Sequence, residues 1–241
     1  NLSHNKNEIT KLSSDIYTTN RIYTGDPWIR GGSGTTSHVI EEGRPVGQFY
    51  MLKCNGIDEN GKYIFEDVTG DGKISEDDRT YVGSAQPDLT FGINNSFTLK
   101  NWDLSFFFYG EIGRELYNNT RSQFLKAERF RYSDNVPTDA RDRWSSTNPE
   151  GKYPSGLYTK YYNDTDFWVE PADFVRLKNI TLGYTFPKKA FGGIFSNARL
   201  FVDAQNLFCI TNYTGADPET DNSYSSYPNQ RTFSFGIDLT F

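Results

Sequence analysis

The sharpest hydropathy pattern in the chain lies in its last residues. From Phe233 to Phe241 every odd position is apolar, and every even position between them is small or polar. A period of two sends alternate side chains to opposite faces of a strand, so one face meets an apolar phase and the other a polar one. Two further segments predict a tight hairpin. Phe91, Ile93, Phe97 and Leu99 share parity, interrupted by Asn95, and Gly92, Asn94, Ser96 and Thr98 oppose them. After the Lys100-Asn101 link, Trp102, Leu104, Phe106 and Phe108 alternate with Asp103, Ser105, Phe107 and Tyr109. Ile180, Leu182, Tyr184 and Phe186 alternate with Thr181, Gly183 and Thr185 until Pro187 stops the strand. Leu200, Val202 and Ala204 alternate with Arg199, Asp203 and Gln205. Phe49–Leu52 predicts a shorter strand, and residues 1–12 a faint one. The pattern predicts seven strands in all, with an all-β fold.

The connections differ sharply in length. Lys100-Asn101 is very short and 187–197 moderate, whereas 56–89, 111–172 and 212–230 are long. Loops beyond about 12–15 residues are uncommon unless they carry function. Bacterial outer-membrane barrels show such asymmetry, with short periplasmic turns and long extracellular loops. Residues 13–44 break the alternation, being long where a short turn is expected. Single-chain bacterial barrels have an even number of strands, eight or more. Seven cannot close, so the chain is expected to be part of a larger barrel or to hold further strands in 13–44 or 112–170.

Composition adds an odd pairing. The 241 residues are only 36% hydrophobic yet 16% aromatic, with 19 Phe, 16 Tyr and 21 Gly. Phe and Tyr suit pleated, half-buried strands, and Gly suits turns. A membrane-spanning helix needs about 20 predominantly apolar residues, and the sequence has none. A membrane-spanning strand needs about 9–11 residues, half of them polar, so a mean hydropathy of -0.68 does not exclude a membrane barrel. The net charge of -6 argues against a nucleic-acid partner, which needs a basic surface. Cys54 and Cys209 lie far apart without a metal or redox spacing and are expected to be free thiols.

Residues 67–78 fit a twelve-residue calcium loop. Oxygen side chains fall at loop positions 1, 3, 5, 9 and 12, as Asp67, Thr69, Asp71, Ser75 and Asp78. Gly72 takes the sharp turn at position 6, and Lys73 at position 7 needs to offer only its carbonyl. Ca²⁺ wants six to eight oxygens, and this spacing wraps them around one point. Thr69 stands where Asp or Asn is usual, and Asp78 where the bidentate Glu is usual. The flanks do not read as paired helices, so the expectation is a structural Ca²⁺ pinning a long loop, against an acidic glycine turn without metal.

Catalysis finds little support. His4 and His38 lack partners at helical spacing, and no nucleophile-elbow or phosphate-loop sequence occurs. The pairs Asp164/Asp166 and Glu170/Asp173 suit glycoside hydrolysis only as any acidic loop would, and the chain is read as a non-enzyme. Trp144, Tyr158, Tyr161, Tyr162 and Trp168 are weak candidates for substrate contact, since flat aromatic faces suit sugars or peptides. The favoured reading for most of them is packing within the long loop.

Four stretches together resemble the SusC/RagA-type TonB-linked outer-membrane proteins. They are Gly43–Tyr50, then Glu66–Ile74 with Asp77–Gly83, then Phe174–Tyr184, and finally Asn206-Leu207-Phe208 with the terminal Phe241. The resemblance spans most of residues 43–241. It implies the C-terminal part of a 22-stranded transmembrane β-barrel with long extracellular loops, 56–89 among them carrying the calcium motif. The plug domain, and the segment that contacts TonB, have no counterpart in residues 1–241. It further implies nutrient import, of glycans or peptides, across a Gram-negative outer membrane. The implied partners are a SusD-like surface lipoprotein, the remaining barrel and plug, TonB and outer-membrane lipid. Phe91, Ile93, Leu104, Phe106, Ile180, Leu182, Phe233, Phe235, Ile237 and Leu239 are expected to face lipid. Asn94, Ser96, Thr181, Gly183, Ser234 and Asp238 are expected to face the lumen. The rival reading is a soluble, calcium-stabilised β-sandwich that binds carbohydrate.

Overall fold

The computed structural model describes residues 1–13, 18–25, 36–125, 135–156, 164–220 and 227–241. Its strands are β1 (Leu2–His4), β2 (Arg21–Thr24), β3 (His38–Glu41), β4 (Gln48–Leu52), β5 (Cys54–Ile57), β6 (Tyr63–Phe65) and β7 (Arg79–Ser84). They continue with β8 (Leu89–Leu99), β9 (Trp102–Ile112), β10 (Glu115–Tyr117), β11 (Val169–Pro171), β12 (Phe174–Thr185), β13 (Asn197–Thr211) and β14 (Thr232–Thr240). The short helix α1 (Asn119–Phe124) is capped by the Asn118 side chain, which accepts from the Arg121 N–H.

Six strands form one antiparallel sheet in the order β1-β8-β9-β12-β13-β14. The sheet is open: β1 and β14 are its edges. Its register places the predicted apolar positions on one face. Ile93 pairs with Phe108, and Phe97 with Leu104. Leu104 in turn pairs with Leu182, and Phe106 with Ile180. Leu182 pairs with Val202, and Val202 with Phe235. Directly paired residues in a sheet share a face, so the apolar stripe runs unbroken from β8 to β14. Asn94, Ser96, Thr181, Gly183, Ser234 and Asp238 lie opposite by alternation.

The strand at β12 is longer than the alternation suggests. Upstream of Ile180 the parity of apolar residues reverses, with Val175 and Leu177 odd and Ile180 and Leu182 even. A register shift between Leu177 and Asn179 absorbs Lys178 as a bulge, so Leu177 pairs with Phe108 while Ile180 pairs with Phe106. One extra residue resets the face, and the apolar stripe continues past the break.

Two readings of the sequence need correction. Phe49–Leu52 is not a strand of the large sheet; as part of β4 it belongs to a separate four-stranded sheet, β2-β3-β4-β7. The faint strand within residues 1–12 shrinks to β1, which pairs directly with β8. These corrections remove the anomaly at 13–44. The whole stretch between β1 and β8 is one excursion, and it leaves from the same end of the sheet as the β9–β12 and β13–β14 connections. Only the links 100–101 and 186–196 lie at the other end. Segment 56–89, expected as a loop, holds β6, β7 and the second half of β5.

The largest buried cluster sits outside the large sheet. Phe49, Met51, Tyr63, Tyr117, Leu125, Ala140, Tyr153 and Trp168 pack together. They join the excursion between β1 and β8 to the β9–β12 connection, which the backbone also stitches together. The Leu52 N–H donates to Asp164 O at 2.8 Å, and the Ser155 N–H donates to Gly61 O at 2.7 Å. The long connections therefore form a packed outer module, held by its own core, above one end of the sheet.

Candidate functional site

The polar face of the large sheet carries a bonded charge network. Arg199 on β13 reaches across β12 to Asp103 on β9, with Nε to Oδ1 at 3.0 Å and Nη2 to Oδ2 at 2.6 Å. Its Nη1 also meets Asp238 on β14 at 3.3 Å. The crossing is possible because Gly183 lies beneath it. A Cβ at Gly183 would come within 2.5 Å of both Arg199 Nη2 and Asp103 Oδ1. Farther along the face, Asp203 accepts from Asn179 Nδ2 at 2.5 Å and from Thr181 Oγ1 at 2.8 Å. Hydrogen-bonded carboxylates and amides make this face suited to water, and the bidentate arginine spans strands β9 to β14.

Nearer the module, the buried Arg176 on β12 donates to Asp217 at 2.6 Å and also pairs with Glu219. Lys178 in the bulge reaches Glu219 at 2.5 Å. Asp217 accepts in addition from the backbone N–H groups of Glu219 and Asn229, both at 2.9 Å. The β13–β14 connection is thereby tied down onto the polar face. Neither network has a local sequence signal. Asp103, Gly183, Arg199 and Asp238 come from four strands, and only the register brings them together.

The calcium-pattern loop is closed by its own backbone. Asp67 Oδ1 accepts from the Gly70 N–H at 2.7 Å, and Oδ2 from the Gly72 N–H at 2.8 Å. Asp71 Oδ1 accepts from the Lys73 N–H at 2.8 Å. Asp78 is fully buried, taking the Thr69 N–H at 3.0 Å and hydroxyl at 2.9 Å on Oδ1. Its Oδ2 takes the Ser75 N–H at 2.8 Å. Ser75 and Asp78 form a reciprocal capping box. Backbone N–H bonds from Ser75 and Thr69 hold the Asp78 carboxyl below the usual carboxylate range. Gly70 and Gly72 adopt φ of 72° and 78°, which a side chain disfavours. Among the described residues, no three acidic, histidine or cysteine side chains converge on a common metal position. The fit to Ca²⁺ is therefore partial: Asp67, Thr69 and Asp78 meet through hydrogen bonds, while Asp71 turns to the backbone of Lys73.

The aromatic candidates separate. Tyr158, Tyr161 and Tyr162 lie outside the described residues. Trp168 is 1% exposed and stacks on Tyr153 at 6.1 Å with 4° between the rings, so it has no face for a substrate. Packing, the reading favoured for most of these aromatics, accounts for its burial. Trp144 lies against Gly61, where a Cβ would come within 2.6 Å of the indole. The acidic pairs have structural uses. Glu170 accepts from Asn118 Nδ2 at 3.0 Å and the Thr214 N–H at 2.9 Å. Asp173 accepts from the Gly113 N–H at 2.7 Å, and Asp166 from the Cys54 N–H at 2.8 Å. Both cysteines are free.

A sheet with one face apolar and one face polar and charged, its long connections gathered at one end, has the pattern of a membrane β-barrel wall. No family model matches the chain. The TonB-dependent receptor P3 of Formosa agariphila is 30% identical over 276 residues, covering 100% of the chain and 26% of the receptor. The TonB-dependent receptor SusC of Bacteroides thetaiotaomicron is 31% identical over 257 residues, covering 100% of the chain and 24% of the receptor. A solved structure of the RagAB peptide transporter superposes with a TM-score of 0.77 at 27% identity, covering 100% of the chain and 26% of that one. The RagAB importer in its open-open state gives 0.78 at 28% identity, with the same coverage. The chain thus spans about a quarter of the length of the relatives it matches. It is of the SusC/RagA type of TonB-dependent outer-membrane protein, consistent with the C-terminal portion.

Proposed function

We propose that residues 1–241 form part of the barrel of an outer-membrane nutrient importer energised through TonB. The work of such a protein is binding and gated translocation, without covalent chemistry. The observation that carries this reading is the continuous apolar face of the large sheet. Phe233, Phe235 and Ile237 are 60%, 79% and 66% exposed there. In a soluble sandwich a second sheet would cover such a face, and none among the described residues does, so the rival carbohydrate-binding reading is disfavoured. The apolar residues then face lipid and the Arg199 network faces the lumen. The three long connections lie at the extracellular end, by analogy with barrels of this kind.

The cargo class is a glycan or a peptide, and a SusD-like surface lipoprotein is the proposed partner. The chain's likeness to SusC and RagAB supports both assignments. The test is import by cells lacking this protein, supplied with labelled oligosaccharides and labelled peptides. Loss of uptake of one class, restored by the protein but not when TonB is disabled, is the expected result. Undiminished uptake of both classes would overturn the reading.

Loop 67–78 is proposed to take one structural Ca²⁺ through Asp67, Thr69, Asp71, Ser75, Asp78 and the Lys73 carbonyl, after the Asp71 side chain turns inward. Occupancy would pin segment 56–89 within the outer module. Titration calorimetry should give heat at millimolar Ca²⁺ or below, and Asp71→Ala should abolish it, because Asp71 serves the loop only through the Lys73 N–H. Absence of heat in the unaltered protein would reduce the motif to an acidic turn.

A further inference from the structure

The end of the sheet opposite the outer module is cationic and aromatic. Residues 99–102 and 185–197 contain Lys100, Lys188 and Lys189 and no Asp or Glu, in a chain of net charge -6. Within the described residues, none of these lysines makes an ion pair; the paired lysines are Lys53, Lys152 and Lys178. The acidic side chains next along the strands, Asp103 and Asp238, are on the polar face and are held by Arg199.

A chain of rings runs along the same rim. Trp102 and Tyr184 have centroids 4.8 Å apart, Tyr184 and Phe186 5.1 Å, and Phe186 and Phe191 5.2 Å. Phe191 and Phe195 follow at 5.8 Å, and Phe195 and Phe241 at 5.1 Å. Ile194 at 68% and Phe241 at 84% exposure extend the apolar face beyond the last paired residues. The link itself is ordered against β14, since the Ser196 N–H donates to Thr240 O at 2.7 Å.

From this juxtaposition we infer that the short-turn rim is a phospholipid headgroup site. The rings occupy the boundary of the acyl phase, and Lys100, Lys188 and Lys189 bind headgroup phosphates, favouring anionic over zwitterionic lipid. The inference rests on the membrane reading proposed above. Two features on the rim select lipid as the occupant: its apolar surface is continuous with the face assigned to the bilayer, and its side-chain charge is unpaired and of one sign. Aromatic rings and lysines placed at the end of a membrane segment partition to that interface, where each lysine near an anionic surface adds attraction.

The test is native mass spectrometry of the protein extracted in its complete assembly from mixed phosphatidylglycerol and phosphatidylethanolamine. The unaltered protein should retain phosphatidylglycerol preferentially. The double variant Lys188→Gln/Lys189→Gln should lose that preference by about tenfold. The Lys188→Arg/Lys189→Arg protein should keep it, and heat-modifiable migration should be normal in both. An unchanged lipid ratio in the glutamine variant overturns the headgroup site, as does equal retention of both lipids by the unaltered protein, the result expected if an acidic soluble partner occupies the rim instead. Neither result touches the membrane reading itself, which stands or falls separately on a charge placed at Phe235.

Discussion

Replacing Phe235 with arginine should cost about 2–4 kcal/mol and impair assembly of the protein in its membrane. Phe235 pairs with Val202 in the central part of β14, with Phe233 and Ile237 on the same face. It is 79% exposed. If this face met water, an exposed Phe-to-Arg change far from any special feature would stay within about 0.5 kcal/mol. If it meets the bilayer midplane, the guanidinium must be desolvated or must drag water inward. The two environments therefore give different magnitudes for one substitution. Ser234→Arg supplies the control, because its side chain points to the polar face beside Asp203. Urea unfolding in liposomes and heat-modifiable migration would read the effect. A Phe235→Arg protein as stable as the Ser234→Arg protein would exclude a lipid-facing surface.

Truncating Trp168 to alanine should cost about 3–5 kcal/mol, the range for emptying a large aromatic site in a packed core. Trp168 is 1% exposed and makes an edge contact with Phe167 at 5.0 Å in addition to its stack on Tyr153. Met51 and Leu125, both at 0% exposure, belong to the same cluster. The loss should be local. Faster hydrogen exchange is expected in β4, β7 and the β9–β12 connection, while β12, β13 and β14 keep their protection. Exchange in β4 and β7 equal to that of the unaltered protein would mean that the module is not held by this core. A loosened module with an intact sheet would also show that the two are held by separate contacts.

Much of the sheet was legible from local pattern. The β8–β9 hairpin and β14 read directly, because their partners are adjacent in sequence or their alternation is complete. Phe49–Leu52 was misplaced for a physical reason. A short apolar run states that a strand is buried, and not which sheet buries it. β2 and β3, at four residues each, are too short to show periodicity. Alternation alone does not show the early end of β12, because Lys178 inverts the parity that identifies a strand. At the candidate site, the calcium spacing was legible since all its members lie within twelve residues. Its self-bonded geometry was not, because backbone N–H groups leave no trace in side-chain pattern.

Local pattern was enough to establish that the chain forms strands with one apolar and one polar face, since period-two alternation is set residue by residue by the pleat. It also determined where the short links fall. Tertiary structure alone decided that the apolar stripes of β8, β9, β12, β13 and β14 join into one surface, that Gly183 lets Arg199 span from Asp103 to Asp238, and that the long connections share a core around Trp168. These facts depend on register between segments up to 135 positions apart, from Asp103 to Asp238. A shift of one residue would turn every side chain to the other face. Alternation specifies the faces of a strand; only pairing specifies which faces meet.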